Sequence, residues 1–113
     1  MNPRPGEVWL ADLGLAAKTR PVVIVSRHDP DPPRALFIYV PLTSQSRGSG
    51  YEVEIPKLPF LKLEGVANAQ GVSSLPMTRL ERKLGQLPQD VFDKVKQALA
   101  FTLDMHRPPF TSQ

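Results

Sequence analysis

The sequence predicts a mainly β domain, a small barrel of five or six short strands closed by a C-terminal α-helix. Three observations carry this. Apolar runs of only five to nine residues recur between glycine and proline punctuation. Proline is abundant, at 13 of 113 residues, against a usual share of about 5%, which favours short elements with rigid connections over a helical bundle. After Pro88 the hydrophobic period changes from that of strands to that of a helix.

Gly6 to Gly14 reads as the first strand, with Val8 and Leu10 on one face and Trp9 on the other. Pro21 then opens Val22-Val23-Ile24-Val25-Ser26, a β-branched run apolar on both faces, as expected of the centre of a sheet. The prolines in His28 to Arg34 remove backbone donors and break any ladder, giving a surface loop. Ala35 to Thr43 forms a third strand, with Thr43 on the side of Phe37 and Tyr39, and Pro41 predicts an edge or a bulge near its end. Gln45 to Gly50 is a polar loop. Tyr51 to Ile55 alternates, with two glutamates turned outward. Phe60 and Leu61, between proline-rich breaks, make an apolar lid. Gly65 to Val72 predicts another strand with Asn68 and Gln70 on one face, and residues near Lys83 to Leu87 a last short one. Val91, Val95, Leu99 and Leu103, widened by Phe92 and Ala98, define a helix running to Asp104–Arg107, before Pro108 and Pro109.

A chain of 113 residues holds one core, assigned to residues 1–107, with 108–113 a disordered tail. Without cysteine there is no disulfide, thiolate metal site or cysteine nucleophile. No 18-residue apolar run occurs, so a soluble, cytoplasmic protein is expected. The net charge is +3. Residues 1–56 carry six basic and six acidic side chains, whereas residues 57–113 carry eight and five. The excess in the second half suits a mildly cationic face toward a polyanion, or a solvated surface.

Several residues could carry chemistry. Arg20, extended before Pro21, can fork two donors onto phosphate oxygens, or pair with a carboxylate at the barrel rim. Thr43-Ser44-Gln45 at a strand end offers two hydroxyls and an amide to a phosphate or a base edge, or to its own turn. Asn68 and Gln70 could read base edges or pack as ordinary polar residues. Arg79, Arg82 and Lys83 could track a nucleic-acid backbone or form a solvated face. His28, Asp29 and Asp31 are strung along a proline-rich loop with nothing converging on them, and His106 at the helix end is explained by the helix dipole. No phosphate-binding glycine loop, zinc-protease or serine-hydrolase motif is present.

Pro5 to Leu13, then Arg20-Pro21-Val22-Val23-Ile24-Val25-Ser26, then Val40-Pro41-Leu42-Thr43-Ser44 resemble, in that order, the MazF/PemK toxin endoribonucleases of type II toxin–antitoxin pairs. Val66-Ala67-Asn68-Ala69-Gln70 and Arg79-Leu80 to Leu87, followed by a helix, continue the resemblance over about residues 5–105. It implies an SH3-like barrel of the PemK/CcdB kind, a homodimer, and cleavage of single-stranded RNA without metal or other cofactor. It also implies a cognate antitoxin whose disordered tail covers the RNA groove, and no membrane partner.

Carried over by motif, Arg20 and Thr43 match the positions most closely tied to catalysis, and Ser44 and Gln45 the adjoining substrate contacts. Lys18, Arg47, Gln70 and Arg79 are further RNA-contacting candidates. The implied reaction is attack by the substrate's 2′-OH on the adjacent phosphate, with Arg20 and Thr43 steadying the charge of the phosphorane. The chain departs from the family pattern twice. Leu15 to Thr19 is short and offers only Lys18 where many members carry Glu or His, and Ser73-Ser74-Leu75-Pro76 stands where many have Arg-Thr-Ile/Val-Asp. Two other functions fit the same fold: a module that binds RNA or antitoxin without cutting, and a CcdB-like toxin with a protein target.

Overall fold

The computed structural model describes residues 2–14, 18–62 and 64–105. Seven strands, β1 (Glu7–Asp12), β2 (Thr19–Ile24), β3 (Leu36–Thr43), β4 (Glu52–Ile55), β5 (Gly65–Asn68), β6 (Ser73–Pro76) and β7 (Leu80–Gln86), precede one helix, α1 (Gln89–Thr102). They form an antiparallel sheet in the order β4-β5-β3-β2-β1-β7, with β6 joined to the first half of β3. The sheet is barrel-like without closing, since no pairing joins β4 to β7 among the described residues. The expected class, mainly β with a terminal helix, is the one observed. No described helix is long and apolar enough to cross a membrane.

The double-faced apolar run at Val22–Ile24 explains the architecture. Val23 joins Val8, Val40 and Leu42 in a core covered by Val91, Phe92, Val95 and Ala98 of α1. Val22 and Ile24 point the other way, into a second core with Trp9, Ala11, Tyr39, Leu75 and Leu80. Each fully buried aliphatic side chain contributes about 1.5–3 kcal/mol, so β2 binds two layers at once.

Several elements differ from expectation: β2 spans Thr19–Ile24 rather than Val22–Ser26, β7 begins at Leu80 rather than near Lys83, and three further differences concern residues 65–76, Pro41 and the helix end. The expected strand over residues 65–72 stops at Asn68, whose side-chain oxygen accepts the Gln70 N–H and starts a 3₁₀ turn at Ala69–Gly71. Asn68 and Gln70 therefore do not share a strand face. Ser73–Pro76 was not anticipated as a strand; it has no alternating pattern and is held by its ladder to Leu36–Tyr39. Pro41 lies inside the sheet, paired with Val22, where the opposite neighbour of β3 changes from β6 to β5. That interruption accommodates a residue with no donor, without an edge or a bulge.

The helix also ends earlier, at Thr102. Asp104 adopts a left-handed backbone (φ 55°), the Asp104 N–H reaches the Phe101 carbonyl, and the Met105 N–H reaches that of Ala100 at 2.7 Å. This Schellman arrangement satisfies the last carbonyls internally. Leu103, expected on the buried stripe, is 49% exposed. His106 and the expected tail lie outside the described residues.

Two contacts tie β7 to the rest. Glu7 is 6% exposed and accepts the Arg4 backbone N–H (2.9 Å), the Trp9 indole N–H (3.0 Å) and the Lys83 ammonium (3.0 Å). Burial pushes its carboxyl pKa up, but the Arg4, Trp9 and Lys83 donors outweigh burial and hold it below the usual glutamate value. Gly85 of β7 seats the Phe60 ring, and a Cβ there would overlap the ring.

Glu7→Ala leaves the buried Trp9 indole N–H unpaired and removes the partner of the part-buried Arg4 N–H, and unfolding by urea at pH 7 should show a loss of about 1–3 kcal/mol. Because the folded carboxyl titrates lower than the unfolded one, its contribution is complete above the ordinary glutamate value of 4.5 and fades as pH falls toward the folded value. Urea midpoints from pH 7 to pH 3 should therefore decline less steeply for Glu7→Gln than for the native chain. Gly85→Ala should cost about 1–3 kcal/mol by unseating Phe60, read as a lowered melting temperature.

Candidate active site

The apolar rows of β1, β2 and β3 on the α1 side end at Leu10, Pro21 and Leu42. There they floor a cleft of about 440 Å³ to which α1 contributes no lining residue. Phe60 and Leu61, the expected lid, form one wall, and Ile55 and Leu84 fill the corners. The rim is polar: Arg20, Thr43, Ser44, Lys62, Glu64 and Arg82. Three cations face one carboxylate.

Arg20 and Thr43 each lie two residues beyond the last β2–β3 pair, Val22 with Pro41, at neighbouring strand ends that both border the cleft. The hydrogen-bonded ladder stops at Val22, and the missing N–H of Pro21 falls where β2 and β3 part. Both residues line the cleft. Thr43 is held closely, because Gly65 of β5 lies against its carbonyl and a Cβ there would overlap the oxygen. The Thr43 hydroxyl accepts the Gln45 N–H at 3.2 Å and retains its own proton to donate. Sequence reasoning treated Gly65 only as the start of a strand; its neighbour across the ladder appears only with the topology.

Of the sequence-selected residues, Arg20, Thr43 and Ser44 line the cleft, and Lys18, Gln45, Arg47, Gln70 and Arg79 do not. Gln45 and Arg47 are in the adjoining loop, which Glu52 secures by accepting the Arg47 N–H at 2.9 Å and the Ser49 N–H at 3.1 Å. Lys18 closes the turn after β1, its N–H on the Gly14 carbonyl at 2.6 Å. Arg79 reaches over Gly14 of that turn. Leu80 and Arg20 both pair with Ala11 from opposite sides, so Arg79 and Lys18 share the cleft's end of the sheet without entering the cleft. Gln70 sits exposed on its 3₁₀ turn.

The basic cluster Arg79, Arg82 and Lys83 divides. Lys83 is committed to Glu7, and Arg82, opposite Leu10 in register, is the member that reaches the cleft. Past Ser44 the surface continues into a shallow hollow with Glu54, Glu64 and Asp90 against Lys94. Its acidic balance disfavours a polyanion, so the cationic path runs from Arg20 toward Arg82. Asp29, in the proline-rich loop, accepts the Asp31 N–H at 3.0 Å.

Comparison with known proteins places this geometry. A mycobacterial endoribonuclease solved in complex with its cognate antitoxin superposes with a TM-score of 0.81 at 28% identity, covering 94% of this chain and 99% of that one. MazF of Deinococcus radiodurans, solved with MazE, gives 0.76 at 27% identity over 94% and 99% of the two chains. MazF-mt6 of Mycobacterium tuberculosis, at 24% identity and a TM-score of 0.78, covering 89% and 99%, shares the fold. The family model for PemK-like, MazF-like toxins of type II toxin–antitoxin systems matches residues 4–103. With that match spanning nearly the whole chain, the protein belongs to the PemK-like, MazF-like toxin family.

Proposed function

We propose that the chain is an endoribonuclease toxin that cuts single-stranded RNA, with Arg20 and Thr43 at the reacting phosphate. The observation that carries this reading is that Arg20 and Thr43 line one cleft, together with the cations Lys62 and Arg82. In the reaction the substrate's 2′-oxygen bonds to the adjacent phosphorus while its proton leaves. The bond from phosphorus to the 5′-oxygen breaks, and that oxygen takes up a proton. The products are a 2′,3′-cyclic phosphate and a 5′-OH end. Arg20 presents a permanently charged fork to the phosphorane oxygens, and Thr43 donates its hydroxyl proton to one of them. Ser44 supports them at the cleft. Lys18, Arg79, Gln45 and Arg47 flank it from two loops, where they would meet the strand on either side of the cut.

The cognate antitoxin is the proposed partner, as in the mycobacterial and Deinococcus complexes. A homodimer is supported by Leu36 and Ile38, each 45% exposed on the arm that β3 makes with β6. Light scattering should then give twice the 12.5 kDa chain mass, and Ile38→Lys should shift it toward one chain.

The catalytic reading is tested by incubating the purified chain with a long unstructured RNA in EDTA and mapping the new ends. Sequence-specific cuts with 5′-OH ends are expected. Arg20→Ala should slow them by about 10²–10³-fold, the usual effect of removing one charge-stabilising donor, and Thr43→Val should slow them by a smaller factor in the same direction. Cuts that persist in Arg20→Ala would assign the chemistry elsewhere. Intact RNA that is nevertheless retained on a filter would favour the non-cutting binding module.

A further inference from the structure

We propose that the cleft is a single-nucleotide subsite: one unstacked base of the RNA enters beneath Phe60 and Leu61, and Arg82 takes a phosphate of that nucleotide. This rests on the endoribonuclease reading and names what part of the substrate the cleft reads. The catalytic pair alone cannot account for the cavity. Arg20 and Thr43 line it in part, whereas its floor and wall are Leu10, Pro21, Leu42, Phe60, Leu61 and Leu84, none of which suits a phosphate. At about 440 Å³ it falls within the usual range of roughly 300–1,000 Å³ for small-ligand sites. A base is the part of RNA that is flat and mostly apolar in face, and single strands are commonly read by stacking splayed bases on aromatic side chains.

Charge and rigidity point the same way. Arg20, Lys62 and Arg82 surround the opening against Glu64 alone, while the hollow beyond Ser44 carries three carboxylates and one lysine. The backbone of a bound strand is therefore drawn along the Arg82 side, with the base turned inward. Phe60 is not a loose flap, because its ring rests on Gly85 of β7. A wall held on a strand keeps its shape before the ligand arrives and spares the entropy of ordering it. Arg82 pairs in register with Leu10, which pairs in turn with Pro21, so the proposed phosphate contact and the Arg-Pro step are two strands apart on one rigid sheet. The subsite thereby sets which base may lie beside the cut, separately from the chemistry at Arg20.

The experiment uses the full chain and a pool of single-stranded RNAs with a randomised stretch, sequencing the cut ends for the native protein, Leu61→Ala and Arg82→Gln. Leu61→Ala should reduce base discrimination at one position next to the cut by about fivefold or more and leave the other positions as they were. With one cut oligonucleotide, Arg82→Gln should raise KM about tenfold. It should also make the slope of log affinity against log salt shallower by about 0.7, the loss of one single-strand phosphate contact. Preferences unchanged at every position in Leu61→Ala, together with an unchanged KM and salt slope in Arg82→Gln, would overturn the subsite while leaving the enzyme reading standing. If the native chain cuts nothing, the enzyme reading falls alone, and the subsite is read from binding of RNAs carrying 2-aminopurine at successive positions. A fluorescence change confined to one position and lost in Leu61→Ala would support it. A response that is the same at all positions, or no binding at all, would overturn it.

Discussion

The burial of β2 on both faces is the constraint on which the rest of the structure depends. A strand that sends Val23 into one core and Val22 and Ile24 into another must sit inside the sheet with neighbours on both edges, and β1 and β3 occupy those edges. Once β2 is central, its first residues, Thr19–Pro21, have little core left to bury. The ladder to β3 opens there, and an arginine can be exposed on a backbone that is otherwise fixed. The cleft is thus the unfinished end of the α1-side core, and the proposed chemistry uses the place where hydrophobic packing stops.

Charge is distributed with the same economy. Lys83 and Arg82 are adjacent in sequence, yet one neutralises the buried carboxylate of Glu7 and the other borders the cleft. Successive side chains of a strand face opposite sides, so a basic dipeptide on β7 serves structure with one residue and leaves the other to face solvent and ligand. Glu7 in turn satisfies the indole N–H of Trp9, which anchors the core on the face away from α1. The modest excess charge of the second half of the chain is therefore a poor measure of the cationic surface, part of which is spent internally.

Much of this was legible beforehand. The long β-branched run, the alternation at Glu52–Ile55 and the change of period after Pro88 each carry their own local signal, and all three elements form, with β2 displaced to Thr19–Ile24 and α1 ending at Thr102. Arg20, Thr43 and Ser44, selected through motifs that occur in order, all line the cleft. What was not legible depends on partners distant in sequence. Ser73–Pro76 is a strand only because β3 is beside it, Asp104 ends α1 although no glycine marks the place, and Pro41 stays internal because two different strands share its other side. Arg82 could not be told from Arg79 and Lys83 without the register of β7 on β1. Glu7 gave no sign of burial, since a glutamate in a strand is ordinarily solvent-facing and its three donors appear only in the fold.

The seating of Arg20 and Thr43 on neighbouring strands bears on how the family can diversify. They sit on neighbouring strands of one sheet, with Gly65 close against Thr43, whereas Phe60, Leu61, Lys62 and Ser44 around them belong to the segments that follow β4 and β3. Drift in those segments would change what is recognised while the proposed reacting groups keep their places. A scaffold built this way can be retargeted by inheritance, or by a designer, through its rim alone.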